Sequence, residues 1–322
     1  MNRFKNILYV SEPLVEQTAV IERAVTLAEN NQAKLTVIGV IPSLTPGIDL
    51  SGLGRISDDL QNTMVTEHQK LLETSIEPYR QKLDIHLQVK AGKTVLEVIR
   101  AVLRDNHDLV IKPAEDIDWL DMLFGSDDMH LLRKCPCPIW LIKPGIKSKN
   151  ECILAAVDFD PWKPDPEEQK LNQEIIELST SLALSEFSAF HLLHVWNAHD
   201  EMALRTWSDN PEEAILRYVE SEREQHKNAL DQLLGKLRKD LGKDTYEFLS
   251  PKCHLLKGEA KKLIPQTARD LRADLVVMGT IARTGIPGIL IGNTAEIVLD
   301  QLQCSVLALK PAGFVSPIKA DE

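Results

Sequence analysis

Four glycines, Gly279, Gly285, Gly288 and Gly292, fall within fourteen residues of one another, between an apolar run ending at Met278 and a helical pattern entered through Asn293-Thr294. Glycine lets a backbone turn through positive φ and approach a ligand with no Cβ in the way. A short polar residue such as Asn293 or Thr294 is expected to cap the helix that follows. The first N–H groups of that helix then face whatever lies in front of it, which makes an anion, most often a phosphate, the natural ligand. The stretch lacks the Gly-Lys-Ser/Thr ending of a Walker loop and the Gly-x-Gly-x-x-Gly spacing of a dinucleotide fingerprint. The plainer alternative is a strand-to-helix connection that needs its turns and nothing else.

The elements that must position this loop recur. His107–Lys112 resembles Ala273–Met278, and Val89–Gly92 resembles Leu255–Gly258, both at an offset of 166 residues. Cys137–Pro144 resembles Cys304–Pro311 at an offset of 167. Three blocks in constant order indicate a duplicated domain, with one extra residue in the second copy between its fourth and fifth apolar runs. Each half alternates short β-like runs with amphipathic stretches. The first has strands at Ile7–Val10, Leu35–Ile41, Ile85–Val89, Leu109–Lys112 and Pro138–Ile142, and a long helix from Leu60 to Leu83. The second has strands at Ile153–Val157, Phe190–Val195, a segment marked by Phe248, Leu255 and Leu256, Leu275–Met278 and Val306–Leu309. Apolar strands separated by helices imply a parallel sheet covered on both faces, doubly wound, with its ligand crevice at the carboxyl ends of the strands. The expected fold class is α/β, as two tandem domains with five-stranded parallel sheets at 1–145 and 151–312, followed by a tail at 313–322. The matching last strands, Pro138–Ile142 and Val306–Leu309, are expected to pair within the chain as a pseudo-dimer; a homodimer is left open.

Composition narrows the partners. The 322 residues are 43% hydrophobic and 26% charged, an ordinary globular balance, and carry a formal net charge of −11. Such a field repels nucleic acid and anionic membranes. No apolar run approaches the ~18 residues of a membrane helix, and five scattered cysteines read as thiols in a reducing cytoplasm. His191, His194 and His199 lie close in sequence, but residues 191 and 194 of a strand face opposite ways, so packing is favoured over a metal site. Cys135-Pro-Cys137 is not a Cys-x-x-Cys pair, and no second pair completes a zinc tetrad.

The glycine frame resembles the nucleotide-binding pattern of the universal stress proteins, strand-Gly-x-x-Gly-(nine residues)-Gly-Ser/Thr. Gly279 matches the first glycine and Gly292 the last, while Ala282 replaces the second and Asn293 the Ser/Thr. Arg283-Thr284-Gly285, the Gly292–Glu296 segment and the Asp128–Pro136 segment resemble the tandem, UspE-type members. The resemblance covers nearly the whole chain. It implies an adenine nucleotide (ATP or AMP, with or without Mg²⁺) in the second domain. Asp158 is implied beside the adenosine, Val195 at the adenine edge, and Met278 and Gly279 at the ribose. Gly292, Asn293 and Thr294 are implied at the phosphates, with Ala282 and Arg283 in the loop. Ala282 and Asn293 imply weaker binding, or fewer phosphates. The implied function is stress sensing, signalling or protection. No catalytic residue is indicated, because the loop offers only Glu296 as a titrating group, and slow ATP hydrolysis is left open. The alternative is an interaction scaffold, or a small-ligand binder, degenerate in both halves.

The first half has lost this frame. Pro113 stands at the first glycine and Asp116 at the second, and Ser11 occupies or neighbours the place of Asp158. Carboxylates at 115, 116, 118, 121, 127 and 128 have no Lys or Arg among them, so a triphosphate is not expected there. A solvated acidic loop is favoured over a divalent-cation site.

Overall fold

The computed structural model describes residues 3–12, 17–44, 54–115, 126–143, 145, 149–280 and 291–320, without the side chains of 54–58. The chain divides into two compact units. One comprises Met1–Lys149, Ser305–Lys310 and Phe314–Glu322; the other comprises Asn150–Cys304 and Pro311–Gly313.

The first unit begins β1 (Asn6–Ser11), α1 (Thr18–Asn31), β2 (Lys34–Ile41), α2 (Gly54–Ile76) and β3 (Ile85–Ala91). It continues α3 (Thr94–Asp105), β4 (Leu109–Pro113), α4 (Ser126–Lys134) and β5 (Ile139–Ile142). The second unit runs β6 (Cys152–Val157), α5 (Pro166–Glu186), β7 (Ala189–Trp196), α6 (Glu201–Trp207) and α7 (Pro211–Leu241). It ends α8 (Lys243–Leu249), β8 (Lys252–Lys257), α9 (Ala260–Asp270), β9 (Leu275–Gly279) and α10 (Asn293–Gln301); the last strand of the chain, β10 (Ser305–Leu309), belongs to the first unit. The α/β class and the mostly parallel sheets anticipated from the sequence are what the structure has.

Strand order in the first unit is β3-β2-β1-β4-β5, all parallel. β10 adds antiparallel to β5, pairing Val306 with Leu141, Leu307 with Trp140 and Ala308 with Ile139. The second unit has the parallel order β9-β6-β7-β8. Both faces of the central strands are covered: Ile7, Leu8, Tyr9 and Val10 are buried in succession, as are Ile153, Leu154 and Ala155. That is why these strands read as continuous apolar runs rather than as alternations.

An aspartate fixes the register at the start of each sheet. Asp108, just before β4, accepts from the backbone N–H groups of Lys5 (2.6 Å) and Asn6 (3.1 Å). Asp274, just before β9, accepts from Glu151 (2.7 Å) and Cys152 (2.9 Å). Both belong to the repeated Asp-Leu-Val block, so duplication preserved a backbone clamp and not only an apolar pattern.

Two elements differ from expectation. Phe248 lies in α8 and not in a strand; β8 begins only at Lys252, because Ser250 ends the helix in the left-handed region at φ 45°. The long helix of the first half stops at Ile76, where Pro78 interrupts it and a 3₁₀ turn spans Glu77–Tyr79. Residues 144 and 146–148, between the two repeats, lie outside the described residues.

Leu307 is 1% exposed and sits opposite Trp140. Leu307→Ala should lower the unfolding free energy by ~2–5 kcal/mol, read as a shift in the urea midpoint.

Candidate functional site

In the second unit, β6 lies between β7 and β9, so the connections leaving its carboxyl end diverge to either side and open a crevice there. The register aligns the rims: Val157 is opposite His194 on β7, and Ala156 is opposite Met278 on β9. Asp158, the first residue past β6, is held by Asn172 of α5. The Asn172 Oδ1 accepts from the Asp158 N–H at 3.2 Å, and its Nδ2 donates to the Asp158 carbonyl. This clamp presents an exposed carboxylate at the crevice mouth from a fixed backbone.

Asp158, Val195, Met278, Gly279, Gly292, Asn293 and Thr294 line one cavity of about 280 Å³. Glu168, Leu171 and Asn172 complete much of the opposite wall. Seven of the nine residues singled out in the sequence therefore converge; Ala282 and Arg283 lie outside the described residues. Asn172 was missed. Its one signal in the sequence is a polar side chain on the apolar stripe between Leu171 and Ile175, and there it is 4% exposed.

The glycines at this site have different reasons to be there. A Cβ on Gly279 would come within 2.7 Å of Leu171 Cδ2, so its smallness serves packing against α5. Gly292 has φ −79° and ψ 143°, an ordinary extended conformation, and a Cβ there would meet the Thr280 carbonyl at an unremarkable 3.5 Å. Among the described residues, nothing requires glycine at 292. The expected cap also needs correcting. Gly292 is the N-cap of α10, without a side-chain cap bond, and Asn293 is already helical. The reason is that the Gly292 N–H is used by the Thr280 carbonyl at 2.8 Å, which starts the helix one residue earlier than its polar residues suggest. Helical bonding begins with Glu296 N–H donating to the Gly292 carbonyl. The N–H groups of Asn293, Thr294 and Ala295 precede that ladder and sit at the positive end of the helix.

The same place in the first unit is filled from within. Glu12, the first residue past β1, corresponds to Asp158 by strand position, so Ser11 neighbours that place. Gln17 clamps it as Asn172 clamps Asp158, accepting from the Glu12 N–H at 3.1 Å and donating to its carbonyl at 2.7 Å. Lys112, at the β4 position of Met278, is wholly buried and reaches Glu12 at 3.0 Å and Asp128 at 2.8 Å. Asp128, also wholly buried, takes the Glu115 N–H on its other oxygen at 2.8 Å. The solvated acidic loop expected here is thus corrected at Asp128, which is an internal ion-pair partner. The sequence hides this pairing, because Lys112 sits at the end of an apolar run, one residue before the acidic stretch that begins at Pro113. Burial works against the Lys112 charge, yet Asp128 and Glu12 together raise its pKa above the usual lysine value. Glu115 is pushed up to about 7, by burial first and then by the Asp128 carboxylate. Asp116, Asp118 and Asp121 lie outside the described residues.

The histidines do separate to opposite faces. His191 meets His254 of β8, Nδ1 to Nε2 at 2.8 Å, whereas His194 meets His226 of α7 at 2.9 Å. Among the described residues no group of three or more His, Cys, Asp or Glu is arranged to hold a metal ion, and no helix is long and apolar enough to cross a membrane.

Comparison with known proteins gives this geometry a context. The pattern of the universal stress protein family matches twice, at residues 3–143 and 150–310. The chain belongs to the universal stress protein family. Within it, the chain is similar over its length to the tandem, UspE-type members. It is 27% identical to universal stress protein E of Photorhabdus laumondii over 327 residues, which is 99% of each chain. It is also 27% identical to universal stress protein E of Escherichia coli K12 over 332 residues, covering 100% of this chain and 99% of the relative. A putative universal stress protein from Pseudomonas aeruginosa UCBPP-PA14 has a like fold, with a TM-score of 0.67 and 26% identity, covering 96% of this chain and 94% of that one. A universal stress protein from Archaeoglobus fulgidus shares the fold at a TM-score of 0.60 and 16% identity, covering 96% and 99%. The repeat read from the sequence is therefore a duplication of the universal stress protein domain.

Two outcomes are expected of the buried cluster in the first of these domains. Lys112→Met strands the Asp128 carboxylate and should cost ~3–5 kcal/mol, whereas Lys112→Met with Asp128→Ala should recover much of that loss; urea denaturation compares them. Glu115, with a folded pKa above its unfolded value, contributes stability that is complete below about pH 4.5 and is lost as pH rises through about 7. Glu115→Gln should therefore melt with the parent at pH 5 and above it at pH 8.

Proposed function

We propose that the second unit binds an adenine nucleotide in the cavity at the carboxyl ends of β6, β7 and β9, and that the chain acts as a ligand-responsive factor in the stress response. The observation that carries this reading is the convergence of seven separately chosen residues, from three strand ends and one helix start, on a single 280 Å³ cavity. That volume is near the lower end of the ~300–1,000 Å³ usual for small-molecule sites and suits a nucleoside-sized body. The Asn293, Thr294 and Ala295 N–H groups offer anion-binding donors at the helix start. Met278 and Val195 supply apolar and backbone contact for a base and sugar.

Charge favours a ligand with few phosphates. The described lining residues include the carboxylates Asp158 and Glu168 and no Lys or Arg. Two unit charges 4 Å apart interact by about 4 kcal/mol at an effective dielectric near 20, so each added phosphate negative charge meets a rising penalty. AMP should accordingly bind better than ATP in the absence of a divalent cation, with Mg²⁺ narrowing the gap. In the first unit the Lys112–Asp128–Glu12 cluster stands where ligand would enter, so that unit is read as holding no nucleotide. The cysteines, all unbridged, suit a reducing cytoplasm. No group at the site is assigned a catalytic step.

The test is Gly292→Val. The φ and ψ at 292 are open to any residue, but Val is a poorer N-cap than Gly, so the variant should stay folded and lose no more than ~0.5–2 kcal/mol of stability. It should nevertheless lose at least tenfold in AMP affinity by titration calorimetry, since the side chain stands at the helix start. Unchanged AMP affinity, or none in the parent, would favour the reading of the chain as a scaffold with both sites degenerate.

A further inference from the structure

A second chamber, of about 600 Å³, opens beside the nucleotide cavity in the same unit. The two share Asp158, Glu168, Val195, Ala260 and Thr294, but the far part of the larger chamber is built differently. Its walls carry Phe159, Trp162, Trp196 and Tyr218, and among the described residues its charged lining comprises six carboxylates against the single lysine Lys261. An anion is repelled from such a space. A cation gains from the carboxylates and from the faces of the aromatic rings together.

The histidines at its base make the requirement sharper. His194 Nδ1 lies 3.1 Å from the Val157 carbonyl, which can only accept, so Nδ1 carries the proton. In the neutral ring Nε2 is then a bare acceptor. It lies 2.9 Å from His226 Nδ1, which must therefore donate. His226 in turn has its Nε2 lone pair uncovered. Both rings are neutral at pH 7, because burial, the larger influence on each, lowers their pKa to about 4. His226 is 7% exposed, and its Nε2 faces Glu222 Oε2 at 3.9 Å, too far for a hydrogen bond. The other Glu222 oxygen is taken by the Trp162 indole N–H at 2.9 Å. Two acceptors, an imidazole lone pair and a carboxylate oxygen, thus look at each other with no donor recorded between them among the described residues. Phe159 stacks on His194 at 3.7 Å, and Trp196 stacks on His226 at 5.3 Å, so the rings that set this arrangement are held in place.

We propose that this chamber is a binding site for an organic cation that bears N–H groups on a flat body, an amidinium, guanidinium or arylalkylammonium. Its N–H groups satisfy His226 Nε2 and Glu222 Oε2, and its body lies against Trp162 and Tyr218. A quaternary ammonium has the charge but no N–H to give. This site does not depend on the nucleotide reading, since Glu222, His226 and Trp162 are not part of that cavity's wall.

The probe is benzamidinium, titrated calorimetrically into the full chain, with neutral benzamide and benzyltrimethylammonium as controls. Benzamidinium should bind at least tenfold more tightly than either control. Nitrogen NMR of the histidine rings should show the His226 Nε2 resonance moving as it gains a donor. In Glu222→Gln the side-chain amide can itself donate to His226 Nε2 while still accepting from Trp162, so the fold is kept and benzamidinium affinity should fall at least tenfold. Gly292→Val should leave benzamidinium binding intact, which separates this site from the nucleotide site. Equal binding of benzamide, undiminished binding to Glu222→Gln, or an unmoved His226 resonance at saturation would each overturn the proposal.

Discussion

Parallel pairing on both sides of a buried central strand is the constraint on which the rest of this protein depends. A parallel strand cannot return through a tight turn, so each connection must cross a sheet face as a helix. Covering both faces then demands apolar side chains in succession, as at Ile7–Val10 and Ile153–Ala155. The same pairing brings all carboxyl ends to one edge. With β1 between β2 and β4, and β6 between β7 and β9, the chain must part on either side of the central strand. A crevice at that point is a consequence of topology, and side chains decide only what occupies it.

The two units decide differently. Each clamps the residue that leaves its central strand with a side-chain amide, Gln17 on Glu12 and Asn172 on Asp158. In the first unit the clamped carboxylate faces an ammonium on β4. Once Lys112 is wholly buried, the ion pairs to Asp128 and Glu12 cannot be given up cheaply, because an unpaired charge in that position costs several kcal/mol. In the second unit an apolar Met278 takes the lysine's place and Ala295 takes that of the aspartate, leaving the clamped carboxylate at an open cavity. An open cavity and an internal electrostatic plug are thus alternative outcomes of one framework, separated by a few side chains.

How much of this was legible in the sequence follows from how local each signal is. Strand positions, the long helices and the repeat were readable because burial on both faces leaves unbroken apolar runs, and duplication leaves a constant offset. The residues at the crevice were readable because they fall at strand ends and in one glycine-rich frame. The cap on α10 was misplaced because a backbone bond from Gly292 to Thr280, invisible in residue type, starts the helix early. Phe248 was read as strand because one aromatic residue near an apolar pair fits either period. Lys112 was hidden at the end of an apolar run. Asn172 left only one polar break in an apolar stripe, and the pairing of His194 with His226 left no signal, since each depends on a helix packing beside a strand, 14 and 32 residues away in the chain.

β10 has a consequence for how the molecule comes into being. The antiparallel partner of β5 is supplied by Ser305–Leu309, more than 160 residues further along the chain than Ile142. During synthesis from the amino end, the first unit must wait with that strand edge unpaired while nearly all the remaining chain is made. At ~5–20 residues per second that interval lasts on the order of ten seconds or more. Through it, the backbone groups on one side of β5 are open to any other extended segment, including those of a neighbouring nascent chain. The shortness of β5, four residues, limits how firmly such an intruder could hold.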